Sequence, residues 1–252
     1  KKALELAGAA DFAAPPPTLA QRLHRMIRTE TGNPDPYSEL KTRFNRLALS
    51  LLPELEARVR AASDPFEAAV RISIAGNIID FGTVANVGEE IVAQSLNEAF
   101  TSPLPEGMIA VLREAVQSSR RILFLGDNTG EIVLDKLLVA QLPPEKTTYV
   151  VRGGPILNDA TIKDAREVGM NGLVDVIDNG SDAPGTVLED CPVEFQQRYH
   201  DADLIISKGQ GNYETLDDTG KNIFFLLKAK CPVVAGVLNL PLGSIALVNR
   251  QT

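Results

Sequence analysis

Apolar positions in the first hundred or so residues recur at helical spacing. Residues 18–31, "TLAQRLHRMIRTET", set Leu19, Leu23, Met26 and Ile27 along one face. "NPDP" at 33–36 ends that helix, because each proline fixes φ and removes a donor. "YSELKTRFNRLALSLLPELEARVRAA" follows with a long apolar stripe, in which Pro53 is expected to kink or break the helix. Asp64 as N-cap and Pro65 at the first position open the next helix, "DPFEAAVRISIAGNIIDFG". Two more helices are expected near 87–100 and 106–119, and "AAPPPT" at 13–18 reads as a linker or turn.

Near residue 120 the pattern changes. Short apolar runs now alternate with helical stretches. "RILFL" (121–125), "TTYVV" (147–151), "LVDVI" (173–177), "DLIIS" (203–207) and "PVVAG" (232–236) read as strands. "TGEIVLDKLLVAQL", "NDATIKDAREVG", "PVEFQQRYH" and "TGKNIFFLLKAK" read as the helices between them. Strands of Ile, Leu and Val without polar alternation imply a sheet covered on both faces. The expected fold is therefore α/β: a three-layer α/β/α core with a mainly parallel sheet, preceded by a helical N-terminal part. The pattern divides the chain into a helical subdomain, 1–105, and the core, 106–252.

The formal net charge of -8 argues against a nucleic-acid partner or a polybasic membrane surface. An anion would need a metal, a few placed cations or backbone N–H groups to overcome that field. No run reaches the roughly 18 apolar residues of a membrane span. The chain shows no signal-peptide pattern. Two cysteines, Cys191 and Cys231, make no disulfide framework and no CxxC pair, which suits thiols in a reducing cytoplasm and argues against structural zinc.

In a parallel α/β core, ligands bind beyond the carboxyl ends of the strands. After the first strand stands "GDNTGE". Asp127 and Asn128 offer oxygens suited to hard or borderline divalent ions, and they are equally good helix caps. After the second, "VRGGPILNDAT" supplies Arg152, whose fork matches phosphate, and a second amide–carboxylate pair, Asn158 and Asp159. Asp159 could cap a helix near Ala160, and Asp164 is read as solvent-facing or paired with a neighbour. After the third, "DNGSDAPGT" offers Asp182 and Thr186 as substrate contacts. After the fourth, Lys208 stands beside Gly209 and Gly211, a lysine and glycine-rich loop able to hold phosphate. The GxxxxGK[ST] order of a P-loop is absent, and no GxGxxG follows the first strand. Lys230 either offsets a helix dipole or meets a ligand. Asn77 and Asp80 in "GNIIDFG" are polar groups in an apolar helix end that need partners or reach the cleft. His24 and His200 stand next to no glycine-rich Ser or Cys, so a triad is not expected.

Taken together, "GDNTGEIVLDKLL", "RGGPILNDATIKDA", "SKGQGNYETL", "LLKAKCPVV" and "GNIIDFG" resemble the damage-control phosphatase family, once catalogued as domain of unknown function eighty-nine, and its prokaryotic branch in particular. The resemblance spans roughly residues 18 to 245. It implies a metal-dependent phosphatase of small phosphometabolites, with manganese, cobalt, nickel or magnesium as the ion. By that resemblance Asp127 and Asn128 match a metal pair and Asp159 the third ligand, with Asp164 in reserve. Lys208 and its glycine loop match the substrate-phosphate loop. An Arg-Thr-any-Lys signature of some branches reads Leu227, Lys228, Ala229, Lys230 here, so only its lysine is present. Cysteines found near the start of many prokaryotic members are absent.

The expected activity is metal-assisted hydrolysis of a phosphomonoester. Asp127, Asn128 and Asp159 hold the ion, and Lys208, Lys230 and Arg152 neutralise the phosphate. Asp127, or less favourably Glu131, takes a proton from water. The expected partner is a small phosphorylated metabolite; the oligomeric state is not encoded in any pattern found. Two other readings use the same residues or their neighbours: an S-adenosylmethionine-dependent carboxyl methyltransferase, and a non-catalytic metal-containing sensor of a phosphometabolite.

Overall fold

The structure is a computed structural model that describes residues 1–11, 13–78, 97–98 and 100–250. The helix expected near 87–100 falls for the most part outside the described residues, as does Asp80; so does the side chain of Asn77.

Among the described residues, the helices that come first include α1 (Lys2–Gly8), α2 (Pro16–Thr31), α3 (Ser38–Ala61), α4 (Pro65–Ile78) and α5 (Met108–Ser118). The prolines of "AAPPPT" are not a linker, since Pro16 and Pro17 lie in the first turn of α2, where a missing N–H costs nothing. Pro53 does not break α3, which runs on through it. The start of α4 is as expected: Asp64 accepts the Glu67 N–H at 3.0 Å, with Pro65 following. Buried positions on α4 run nearly all round it, from Phe66 through Ala68, Ala69, Val70, Ile72 and Ile74 to Ala75. A helix apolar on every side belongs inside a layer.

Six strands then form one sheet: β1 (Ile122–Leu125), β2 (Thr147–Val151), β3 (Asp175–Asp178), β4 (Leu204–Lys208), β5 (Ile223–Lys228) and β6 (Ile245–Arg250). Their order is β3-β2-β1-β4-β5-β6, all pairs parallel except β5 with β6. Between and after the strands come α6 (Glu131–Val139), α7 (Ile162–Glu167), α8 (Val193–Asp201), α9 (Gln210–Leu216) and α10 (Pro232–Leu238), with short 3-10 turns. The expected three-layer α/β/α core is present.

Two segments exchange the types expected of them. Residues 223–228 form β5, not a helix, and 232–238 form α10, not a strand. Both lie in one apolar stretch where periodicity cannot separate a buried strand from a buried helix. Length and punctuation decide. "IFFLLK" is six residues long and its first five are buried, as in a central strand. Cys231 accepts the Val234 N–H at 3.4 Å and Pro232 takes the first helical position, a helix start despite the two valines.

Side chains alternate across the sheet. Ile122, Phe124, Tyr149, Val151, Leu204, Ile206, Phe224 and Leu226 pack with α3, α4, α5 and α6 in one core cluster. Leu123, Leu125, Val150, Ile205, Ile223, Phe225 and Leu227 pack with α8, α9 and α10 in the other. Each such fully buried Leu, Ile or Phe contributes about 1.5–3 kcal/mol relative to exposure. The N-terminal helices thus supply much of one covering layer and share its core. Among the described residues, no helix is long and apolar enough to cross a membrane.

Candidate functional site

The strand order reverses between β1 and β4, and ligand crevices open at such switch points. Beyond the carboxyl ends of the five parallel strands lies a cavity of about 150 Å³. Asp127 and Asn128 line it from β1, Leu157, Asn158 and Asp159 from β2, Pro184 from the β3 loop, Gln210 and Gly211 from β4, and Lys230 from β5. Thus the four loops singled out by position converge on one space, and Lys230 joins them from beyond β5.

Backbone pairing builds its floor. Asn128 and Asp159 form an antiparallel bridge. The Ala160 N–H donates to the Asp127 carbonyl at 2.8 Å, and the Thr129 N–H to that of Asn158 at 2.8 Å. Neither Asp127 nor Asn128 caps α6. The helix starts at Glu131 after Gly130, whose own N–H donates to Asn45 Oδ1 at 2.8 Å. Asp159 is no cap either, because Thr161 and Asp164 form the capping box of α7. Leu157 holds a left-handed φ of 44°, a conformation that surrounding structure must impose and that clusters at ligand sites.

Arg152 lies beneath the cavity, 2% exposed. Its Nε donates to Asp159 Oδ2 at 2.7 Å, its Nη2 to Asp127 Oδ1 at 3.2 Å, and its Nη1 to Asn212 Oδ1 at 3.0 Å. It therefore braces the two carboxylates and is not among the residues lining the space. Asn128 Nδ2 donates to Asp127 Oδ2 at 2.8 Å and to Glu131 Oε2 at 3.2 Å. Burial pushes the Asp127 carboxyl up to about 8, and Asp159 and Glu131 push the same way against Arg152 and Lys230. Burial also raises Asp159, opposed chiefly by Arg152. Burial is the leading cause for both acids, and the Glu131 carboxylate nearby adds to it.

Among the described residues, no three His, Cys, Asp or Glu side chains converge as a metal cluster. The set present is two carboxylates and the Asn128 amide. All are oxygen donors of the kind hard divalent ions take, and a cation would favour the ionised Asp127 that burial and its acid neighbours disfavour.

The structure takes Lys208 away from the cavity. It occupies the same face of β4 as Leu204 and Ile206, so its chain enters the layer of α4 and α6 rather than the crevice. There its ammonium, wholly buried, is bound by Glu131 and by Asp135 at 2.6 Å and donates to the Ser73 carbonyl at 2.9 Å. Burial alone would lower its pKa; Asp135 and Glu131 outweigh that and raise it. Glu131 is likewise fully buried and does not line the space. Gly209 has φ 81°, and any Cβ there would collide with the Asp127 carboxylate, so this glycine lets β4 pass behind Asp127. Asp182 is taken up by α2: Gln21 donates to it at 2.8 Å, Arg25 at 2.5 Å, and Arg28 also pairs with it. Thr186 is buried, donating to Asn212 Oδ1 at 2.8 Å. Asp164 is 3% exposed, bonded to Asn45 and paired with Lys41 at 3.2 Å.

Sequence reasoning passed over Asp135, Asn45, Asn212 and Gln210. Asp135 had a signal: it stands four residues after Glu131 in an otherwise apolar helix, so both acids share one buried face. Asn45 had a weaker one, a polar position inside the stripe of α3. Gln210 accepts the Lys230 N–H at 3.2 Å, tying the ends of β4 and β5 together.

Known proteins resemble this chain in sequence and in fold. The sequence model of the damage-control phosphatase ARMT1-like domain matches residues 1–245. A protein of Archaeoglobus fulgidus named damage-control phosphatase is 38% identical, over 90% of this chain and 80% of its own length. Damage-control phosphatase PH1575 of Pyrococcus horikoshii is 34% identical, over 87% of this chain and 76% of its own. The crystal structure of that DUF89 family protein superposes with a TM-score of 0.89 at 31% identity, covering 99% of this chain and 88% of the other.

Proposed function

The chain belongs to the damage-control phosphatase family with the ARMT1-like domain, and from that premise we propose that it hydrolyses small phosphomonoesters with a divalent ion held by Asp127, Asn128 and Asp159. A phosphatase role comes from the relatives. The ion and the substrate class are our reading of the cavity. The observation that carries it is the meeting of two carboxylates, an amide and Lys230 around one space at the ends of the parallel strands.

A bound divalent ion supplies Lewis acidity to a phosphoryl oxygen and to the attacking water. The chain's own residues do the rest. Arg152 holds Asp127 and Asp159 apart and in register. Lys230 faces the phosphoryl group as a point charge, positioned by Gln210. Water forms the new P–O bond, the ester P–O bond breaks with its electron pair going to the departing oxygen, and the proton that water loses returns to that oxygen to give the alcohol. We assign the proton leaving water to Asp127, because Glu131 is sealed between Lys208 and Asn128. A space of about 150 Å³ suits a phosphoryl group with a small substituent better than a large cofactor such as S-adenosylmethionine.

Metal-depleted protein should be assayed on an aryl phosphate, then with Mn²⁺, Co²⁺, Ni²⁺ or Mg²⁺ restored, then on phosphorylated sugars and cofactor fragments. Activity should vanish on chelation and return with at least one ion. Hydrolysis indifferent both to chelation and to Asp127→Ala would sink the mechanism.

A further inference from the structure

Lys208 and Glu131 stand outside the cavity, yet they act on a group that lines it. The three donors of the Lys208 ammonium have three acceptors: Glu131 Oε1, Asp135 Oδ1 at 2.6 Å and the Ser73 carbonyl at 2.9 Å. Asp135 is itself fixed by the Ser73 hydroxyl at 2.7 Å and the Tyr149 phenol at 2.8 Å. Lys208, Glu131, Asp135 and Tyr149 are all fully buried. A lysine ammonium can only donate, so the Glu131 carboxylate bound to it accepts. Its second oxygen, Oε2, takes a bond from Asn128 Nδ2 at 3.2 Å, and Asp127 Oδ2 takes one from the same nitrogen at 2.8 Å. An amide carries its NH₂ and its carbonyl oxygen on opposite arms of one plane, and its partners decide which arm points where. Here both N–H bonds go to carboxylates, which leaves the Asn128 carbonyl oxygen for the cavity.

We propose that the Lys208–Glu131 pair is a positioning device: by presenting an acceptor to Asn128, it fixes the amide with its oxygen, rather than its NH₂, toward a cation. This rests on the reading of the cavity as a divalent-ion site. Groups that orient metal ligands typically change affinity by about 10–100-fold when altered.

Mn²⁺ binding, followed by the electron paramagnetic resonance of the free ion, tests this without turnover. Glu131→Gln keeps shape but turns a donor toward Asn128, because Lys208 claims the carbonyl arm. Affinity should fall about 100-fold. Glu131→Met removes the same charge with no opposing donor, and should lose only about tenfold. A role limited to charge or packing would make the two variants equal, or the methionine worse. Combining Glu131→Gln with Asn128→Asp, which has no N–H to misplace, should return affinity to within about tenfold of the wild type. Should Glu131→Gln fail to fold by circular dichroism, this double variant decides the matter. Binding there supports the proposal, and loss contradicts it. Wild-type binding with an unaffected Glu131→Gln overturns the proposal alone. A wild-type chain that binds no Mn²⁺ overturns the metal reading, and the proposal with it.

Discussion

Two clusters with the same charges lie side by side in this protein. Asp127 and Asp159 share Arg152, and Glu131 and Asp135 share Lys208. Asn128 touches both, through Asp127 and Glu131. Their surroundings differ. The second cluster is sealed, and every donor of its lysine is taken inside the protein. The first opens on a cavity, and burial, helped by the neighbouring Asp159 and Glu131, raises Asp127 to about 8. The same charges thus become a lock in one place and a candidate ion site in the other. Burial and the direction of the remaining acceptors make the difference.

The largest expected effects separate the two. Asp127→Ala should remove roughly 10³-fold or more of kcat/KM on an aryl phosphate, since the ion's several kcal/mol of transition-state stabilisation goes with it. Its fold, followed by circular dichroism, should persist. Lys208→Met should do the reverse by striking stability first. Leaving Glu131 and Asp135 buried without their cation costs about 3–5 kcal/mol, measurable by urea unfolding. If Lys208→Met unfolds no more easily than wild type, the sealed cluster is not the lock described.

A third prediction concerns pH. A carboxyl raised from 3.8 to about 8 stays protonated in the folded state while the unfolded chain has already lost its proton. Its contribution to stability therefore falls as pH rises from about 4 to 8. In metal-free protein, Asp127→Asn should raise the unfolding temperature, with a gain that grows across that window. A gain independent of pH would break the claim that burial and neighbouring acids hold Asp127 protonated. The smallest effect is expected away from both clusters. Asp182→Ala removes the anchor of Gln21, Arg25 and Arg28, and should cost about 1–3 kcal/mol with little change in metal affinity.

The sequence was most readable where structure is local. β1 and β2 stand where their apolar runs predict, and Asp127, Asn128 and Asp159 stand at strand ends because a parallel α/β core places ligands there. It was least readable where tertiary packing chooses. Residues 223–238 are apolar throughout enough of their length that strand and helix exchange places without a change in pattern. β6 was missed at the antiparallel edge. Lys208 was conspicuous in "SKGQGNYETL", but its acceptors are Ser73, Glu131 and Asp135, on helices far from it in sequence. Only the parity of β4, shared with Leu204 and Ile206, turns it inward.

The central claim is that a cation and a phosphate meet in the open cluster. The most direct test is to titrate metal-depleted protein with Mn²⁺ while following phosphate release from an aryl phosphate. Almost no release is expected at the start, then a rate that saturates at one ion per chain and fails to appear in Asp127→Ala. A steady rate before any ion is added, unchanged through the titration and in the variant, would contradict it.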